Sequence, residues 1–199
     1  MALVFVNGYG QTSFGLVEDF DEVSNVGTLA HDGWNMGIGL GARLGLSVGP
    51  VKFGILGEFQ KLQWEGERVD GDRQNSFDGD EDYDNVIDRT LYGLFVNFDP
   101  PALPVSFTVE YFPEVSGKMS FAQGVGENPF VEDDKINGRG FGLGIWKQTL
   151  PHFYGINIRS ISYDNFVLNG VEADLPNDRF EKVQSWEISF QGGVSFDFL

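Results

Sequence analysis

Residues 33–49 read GWNMGIGLGARLGLSVG, and every even-numbered position in this stretch is apolar. Every odd-numbered position carries glycine or a polar side chain. Successive side chains of a strand point to opposite faces, so the stretch predicts a strand with one apolar face and one thin, polar face. A strand of a soluble protein usually has about 5–6 residues, whereas a tilted strand needs about 9–11 residues to cross a bilayer. The stretch is therefore long enough to span a membrane.

The composition excludes several classes of protein. The 199 residues contain no cysteine, which excludes disulfides, thiolate metal sites and thiol catalysis. The formal net charge of −17 disfavours nucleic-acid binding, because phosphates would be repelled. No run of about 18 apolar residues exists, which excludes a membrane helix but leaves a barrel of alternating strands open. The length predicts a single domain that covers residues 1–199.

The same alternation recurs along the chain and predicts eight strands. They cover about residues 3–16, 33–49, 51–64, 88–98, 105–111, 140–145, 154–159 and 184–198. We expect Pro113 to interrupt the fifth strand, and the alternation in the seventh becomes irregular after Ser160. The connections alternate between long polar segments and short turns, which is typical of an up-and-down membrane barrel.

The direction of the apolar face distinguishes a membrane barrel from its alternatives. A soluble lipocalin-like barrel or a β-sandwich turns this face towards a core, whereas a membrane barrel turns it towards lipid. The opposite face is dominated by Gly, Ser and Asn, which suits the narrow interior of eight strands. Aromatic residues near the strand ends suit the two lipid–water interfaces. They are Trp34, Phe59 and Trp186 on the long-loop side and Phe98, Tyr154, Phe196 and Phe198 on the turn side. We predict an all-β fold, an eight-stranded antiparallel up-and-down transmembrane β-barrel with four long extracellular loops and three short periplasmic turns.

Charged residues of both signs fall on the inward face. They are Arg43, Lys52, Glu58, Arg89, Glu110, Arg159 and Glu187. A buried charge needs a partner. Counted from the turn at residues 49–50, Arg43 and Glu58 lie almost opposite each other, so we expect them to pair. A charged network of this kind predicts a plugged interior.

The last strand, WEISFQGGVSFDF from Trp186 to Phe198, alternates apolar and polar residues and ends in an aromatic side chain. With the strand count and the loop alternation, it resembles the small eight-stranded outer-membrane barrels of Gram-negative bacteria, the OmpA/OmpX-like class. The resemblance implies that Trp186, Phe190, Phe196 and Phe198 form a signal for the outer-membrane assembly machinery. The class usually ends on the aromatic residue itself, whereas here Leu199 follows Phe198. It also implies a monomer in the outer membrane that contacts lipid and lipopolysaccharide, and whose signal peptide has been removed.

An acidic segment separates the third and fourth strands. Its candidate ligands for a cation are Asp78, Asp80, Glu81, Asp82 and Asp84. Hard cations such as calcium prefer these oxygens. The spacing does not fit an EF-hand, because Gly79 and Arg89 stand in the wrong positions. The segment is either a weak divalent-cation site or a solvated loop, and no other cofactor is expected.

The chain has only two histidines, His31 and His152. The strand order places them at opposite ends of the barrel, and neither has the sequence neighbours of a lipid deacylase, so we predict no enzyme. We expect a structural or surface-interaction role carried by the long acidic loops. A narrow pore or transporter for small solutes is the main alternative, and a lipid-modifying outer-membrane enzyme is the third, because this fold hosts all of these functions.

Overall fold

Eight long strands wrap into a closed barrel. A computed structural model describes residues 3–24, 27–70, 81–124, 128, 130–178 and 180–198, with side chains described except at 19–30, 32, 67–70, 81–82 and 124. The strands are β1 (Leu3–Ser24), β2 (Gly27–Val48), β3 (Val51–Asp70), β4 (Glu81–Phe98), β5 (Ser106–Gly124), β6 (Lys135–Thr149), β7 (His152–Leu168), β8 (Val171–Asp174) and β9 (Val183–Phe198). In this part of the chain, no helix is long and apolar enough to cross a membrane.

The barrel closes through its last strand. Each long strand pairs antiparallel with the next, and β9 completes the ring by pairing with both β7 and β1. The short strand β8 pairs with the end of β7 in a hairpin outside the ring. The predicted all-β, eight-stranded up-and-down barrel is therefore confirmed. Connections 49–50, 99–105 and 150–151 lie at one end, here called the short-turn end, and the other is the long-loop end.

The apolar face of the strands points outwards. Ile38 and Leu40 of β2 are 69% and 71% exposed, whereas the glycines and polar residues between them face the lumen. Similar apolar side chains surround the barrel and form the belt that a bilayer requires. Phe59 pairs with Leu40 near the middle of this belt. Its expected position at the long-loop rim is therefore wrong.

The strands extend beyond their predicted ends at the long-loop side. Residues 18–32, which read as a polar connection, are mostly strand, because β1 and β2 remain paired up to Ser24 and Gly27. Here the lumen is apolar, and Leu62 and Ile87 are completely buried in it. The polar face is the outer one above the membrane belt. Along β3 and β4 the contrast between the two faces therefore reverses, so the rule that apolar residues mark the outward face no longer identifies the strand in the sequence.

A bulge explains one of the two remaining irregularities. β5 continues through Pro113, and its register against β6 shifts after Phe112. Proline has no backbone N–H to contribute to the sheet, so a bulge accommodates it. The prediction that Pro113 interrupts the strand is wrong. The irregular alternation after Ser160 has another cause: β7 keeps its register against β6 as far as Tyr163, but Ile161 and Tyr163 lie on the inward face and are buried.

Candidate functional site

A network of buried charges fills the lumen at mid-height. Six side chains form it, and each is at most 3% exposed. They are Arg43, Arg89, Arg159, Glu58, Glu110 and Glu187. Its three positive and three negative charges cancel. The network is therefore neutral, although the whole chain is strongly acidic.

Arg159 of β7 joins two carboxylates. Its Nη1 and Nη2 donate to the two oxygens of Glu58, each at 2.7 Å. Its Nε and Nη2 donate to Oε2 of Glu110 at 3.0 and 2.8 Å. Glu58 also accepts hydrogen bonds from the Tyr9 hydroxyl and the Gln11 amide. A buried carboxylate is costly unless it is paired and hydrogen-bonded, and Glu58 meets both conditions.

Arg43 has a different partner from the one that its position in the sequence suggests. Its Nη2 donates to Oε1 of Glu110, across the lumen. The expected pairing with Glu58 is wrong, because the register places Gly41 opposite Glu58. The Arg43 guanidinium also lies over the indole of Trp146, with Cζ 3.8 Å from the ring centroid. This cation–π contact holds the arginine on a layer of aromatic side chains.

Arg89 and Glu187 form a second pair nearer the long-loop end. Two parallel hydrogen bonds of 2.6 Å join the guanidinium to the carboxylate. Arg89 also donates to the Tyr163 hydroxyl and to Oε1 of Gln60, both at 2.9 Å. The Gln60 amide in turn donates to Glu58 at 3.0 Å. Gln60 therefore connects the two halves of the network.

Glycines on the inward face provide the space for these side chains. A Cβ added to Gly41 would lie 2.4 Å from the Tyr9 ring. A Cβ on Gly142 would lie 3.1 Å from Oε2 of Glu110 and 3.1 Å from Cγ of Arg159. An eight-stranded barrel has just enough room for its own side chains. Larger residues at these two positions would displace the network.

Lys52 lies apart from the network, at the short-turn end. Its Nζ donates to Oε1 of Gln148 at 2.9 Å and lies 3.4 Å from Oδ2 of Asp99. A layer of aromatic side chains lies between Lys52 and the charged network. It consists of Phe5, Phe95, Trp146 and Phe153. Aromatic residues at inward positions, with small residues opposite them on the neighbouring strands, would have predicted this layer from the sequence.

An apolar cap covers the network at the long-loop end. Phe130 and Phe180 come from the connections that follow β5 and β8, and both are buried in the barrel mouth. Phe130 packs against Trp64 and Phe166, with ring centroids 5.5 and 5.3 Å apart, and Phe180 packs against Phe166 at 5.5 Å. This cap was not predicted from the sequence. Its signal there is a single aromatic residue in each of two mostly polar connections.

The two histidines lie in different environments. His31 is completely buried and belongs to β2, with its ring centroid 5.9 Å from that of Tyr83, rather than to the connection between the first two predicted strands. His152 is exposed at the start of β7, at the short-turn end. The two rings are therefore at opposite ends of the barrel and cannot act together.

The acidic segment is only partly described. Asp78 and Asp80 lie outside the described residues, as does Leu199. Glu81 and Asp82 belong to β4 without described side chains, and Asp84 is exposed. Among the described residues, no three side chains of metal-binding type cluster together. The four aromatics that were predicted to form an assembly signal lie on the outward face of β9. They are Trp186, Phe190, Phe196 and Phe198.

An exposed ion pair joins β5 to the connection between β5 and β6. Nζ of Lys118 lies 2.6 Å from Oδ1 of Asp133. The hydrogen bond and the charge of Lys118 lower the pKa of Asp133, and the same contact raises the pKa of Lys118. Asp133 also has a positive φ of 74°, so the pair holds a tight turn in the connection.

Comparison with known proteins identifies the fold. No family model and no curated protein matches the sequence. The crystal structure of neisserial surface protein A (NspA) matches with a TM-score of 0.52 and 14% identity, over 95% of this chain and 97% of that chain. The fold is that of the small outer-membrane β-barrels. Within this fold, the charged network described above occupies the lumen of the barrel.

Two further solved structures match less closely. Outer membrane protease OmpT of Escherichia coli has a TM-score of 0.46 and 7% identity, over 98% of this chain and 97% of that chain. Ail, the attachment invasion locus protein of Yersinia pestis, solved with the heparin analogue sucrose octasulfate, has a TM-score of 0.40 and 14% identity. That match covers 95% of this chain and 99% of the Ail chain.

Proposed function

We propose that this chain is a closed, monomeric barrel of the bacterial outer membrane that presents acidic loops at the cell surface and catalyses no reaction. The filled lumen is the observation that carries this proposal. Two cavities in the lumen that described residues line measure about 20 and 10 Å³. Each has room for about one water molecule. Between them lie the charged network and part of the aromatic packing, so the geometry favours an anchor over a pore.

The distribution of charge supports a role at the surface. The buried network is neutral, so it contributes nothing to the net charge of −17. Exposed carboxylates occur in the connections of the long-loop end, including Glu132, Asp133, Glu172 and Asp174. Such a surface repels polyanions and attracts cationic partners. We propose that its contact with lipopolysaccharide phosphates is mediated by divalent cations, and that the outward aromatics of β9 direct assembly.

Conductance in planar bilayers tests the closed lumen. We expect no stable conductance steps from the wild-type chain. A double Glu58→Ala, Arg159→Ala variant removes two large side chains from the lumen without leaving a net charge, and it should stay closed as well, because the aromatic layer and the apolar cap remain on either side of the network. Heat-modifiable mobility of the protein recovered from the same bilayers shows that it folds and inserts under the conditions used. Large, stable steps from the wild type would overturn the proposal in favour of a pore.

Lipid analysis tests the absence of enzymatic activity. His31 is completely buried, so its ring cannot contact a membrane lipid in this conformation. We expect lipid A and phospholipid masses to remain unchanged when the chain is expressed in an outer membrane. A mass change that disappears in the His31→Gln variant would assign catalysis to this residue and contradict the proposal.

The acidic segment belongs to the same proposal as a weak site for divalent cations. Acidic oxygens at residues 78–84 match the preference of calcium for hard ligands. Calorimetry with calcium should show binding that is lost when Asp78, Asp80 and Asp82 are replaced by Asn. No heat at millimolar calcium would remove this part of the proposal and leave the anchor role untouched.

A further inference from the structure

A groove in the outer wall lies at the short-turn half of the barrel. Its volume is about 860 Å³, and apolar side chains line most of it. One row of outward residues crosses four neighbouring strands at its base. The row consists of Phe107, Ile145, Ile156 and Phe190, which pair successively in the sheet. The groove belongs to the lipid-facing belt and is separate from the charged lumen.

The groove ends at a cation. Lys147 of β6 is exposed two residues beyond Ile145, towards the short-turn end. Tyr154 of β7 lies directly opposite Lys147 and is 55% exposed. The ammonium and the phenol hydroxyl are both hydrogen-bond donors, and lysine and tyrosine side chains at a membrane rim reach towards lipid headgroups.

Among the described cations of the outer surface, Lys135, Lys147 and Lys182 have no ion pair, and of these three Lys147 alone lies at the short-turn end. Lys61, Lys118 and Arg139 each lie within 2.6–3.4 Å of a carboxylate oxygen. Lys147 has no ion-pair partner among the described residues, in a chain with 30 acidic and 13 basic residues. A lone cation at the end of an apolar groove is complementary to an amphiphile with a phosphate and a hydrocarbon chain. Lipopolysaccharide does not fit, because its phosphates would lie at the opposite end of the barrel.

We propose that the groove binds one glycerophospholipid from the leaflet at the short-turn end. The phosphate contacts Lys147 and Tyr154, and an acyl chain lies along Ile145 and Leu143. From Lys147 to Leu143 the strand advances about 14 Å, at roughly 3.4 Å per residue. The lipid is a bound ligand of the wall and takes no part in the closure of the lumen.

Native mass spectrometry of the refolded full chain in an alkyl glycoside detergent, with added palmitoyl-oleoyl phosphatidylglycerol, tests this site. The wild type should retain one phospholipid. Lys147→Ala should raise the apparent Kd about fivefold, which is the effect of one lysine near an anionic lipid. Lys182→Ala, which removes an exposed lysine at the long-loop end, is the matched control and should leave the Kd unchanged.

A second pair of variants tests the apolar part. Ile145→Trp places a bulkier ring across the base of the groove and should weaken retention, whereas Leu44→Trp, also four residues from the short-turn end of its strand, should not. Diacylglycerol with the same acyl chains should bind equally to the wild type and to Lys147→Ala. Heat-modifiable mobility shows which variants fold. If Lys147→Ala does not fold, Lys147→Gln takes its place, and if Ile145→Trp does not fold, Ile145→Phe takes its place.

Three results would overturn the proposal. The first is equal phospholipid retention by the wild type and Lys147→Ala, and the second is an equal loss in Ile145→Trp and Leu44→Trp. The third is a concentration-dependent dimer that Ile145→Trp abolishes, which would assign the groove to a second copy of the chain. Conductance measurements are independent of all three, so the closed-anchor proposal can fail or hold separately.

Discussion

The Arg89–Glu187 pair shows how strongly the buried charges depend on one another. Both side chains are almost completely buried, and two hydrogen bonds of 2.6 Å join them. Replacing either one with Met leaves the other charge without its partner, which costs about 3–5 kcal/mol of unfolding free energy. Coulomb's law gives a similar value, about 4 kcal/mol for unit charges 4 Å apart at an effective dielectric constant of about 20.

The double variant Arg89→Met, Glu187→Met removes both charges and should cost less than the two single variants together. Its remaining cost comes from hydrogen bonds that Gln60, Tyr163 and Ser185 lose, at about 1 kcal/mol each. We therefore expect a coupling energy of at least about 3 kcal/mol. Urea unfolding of the barrel refolded in phospholipid vesicles, followed by tryptophan fluorescence, measures it.

The exposed pair of Lys61 and Asp88 provides the control cycle. Its charged atoms lie 3.4 Å apart across β3 and β4, on the outer face. Because water screens it, its coupling energy should be about 0–1 kcal/mol. Additivity of the Arg89 and Glu187 substitutions to within about 0.5 kcal/mol would refute the reasoning. Equal coupling energies in the two cycles would refute it as well.

Other perturbations test the space in the lumen, the cap and the loop. Gly41→Ala should destabilise the barrel by about 1–3 kcal/mol, because its Cβ meets an aromatic ring, while Gly57→Ala on the lipid side should be neutral. Urea midpoints compare the two, and equal midpoints would contradict the prediction. Phe180→Ala should cost about 3–5 kcal/mol, because it empties a buried site; a negligible shift in the same assay would show that the cap is not packed. Lys118→Met should raise the pKa of Asp133, which NMR titration measures; no change would contradict the ion pair. Since that pKa is lowered in the folded chain, the pair stabilises the loop above the usual carboxyl range and is lost as pH falls through the lowered value.

The membrane-facing half of the barrel was predictable from the sequence because lipid imposes one simple rule on it. Outward residues such as Ile38 and Leu40 must be apolar, and their neighbours in the narrow lumen must be small or polar. Beyond the membrane the rule fails. There, Leu62 and Ile87 point inwards and polar residues point outwards, so the alternation changes sign and the strand ends were misplaced.

The members of the charged network were predictable, but their partners were not. Inward parity identified Arg43 and Arg159 as interior residues. Register along a hairpin, however, relates only neighbouring strands, whereas the hydrogen bonds cross the lumen. Arg43 of β2 reaches Glu110 of β5, and Arg159 of β7 reaches Glu58 of β3. Those contacts depend on the circumference and tilt of the closed barrel, which no local pattern contains.

The glycines of β2 determine where several of the lumen side chains pack. Large side chains from the two neighbouring strands lie over them, within 3.0 Å of where a Cβ would be. In sequence order, Leu62 lies over Gly37, Gln60 over Gly39, Tyr9 over Gly41 and Phe5 over Gly45. The missing side chain at each of these glycines leaves room for one large neighbour in a lumen that is otherwise full, so each glycine selects the strand whose side chain packs over it. At these positions β2 presents only its backbone to the lumen. Tyr9 and Gln60 can therefore lie over it and donate hydrogen bonds to Glu58. The interior network is therefore specified by where side chains are missing as much as by where charges are placed.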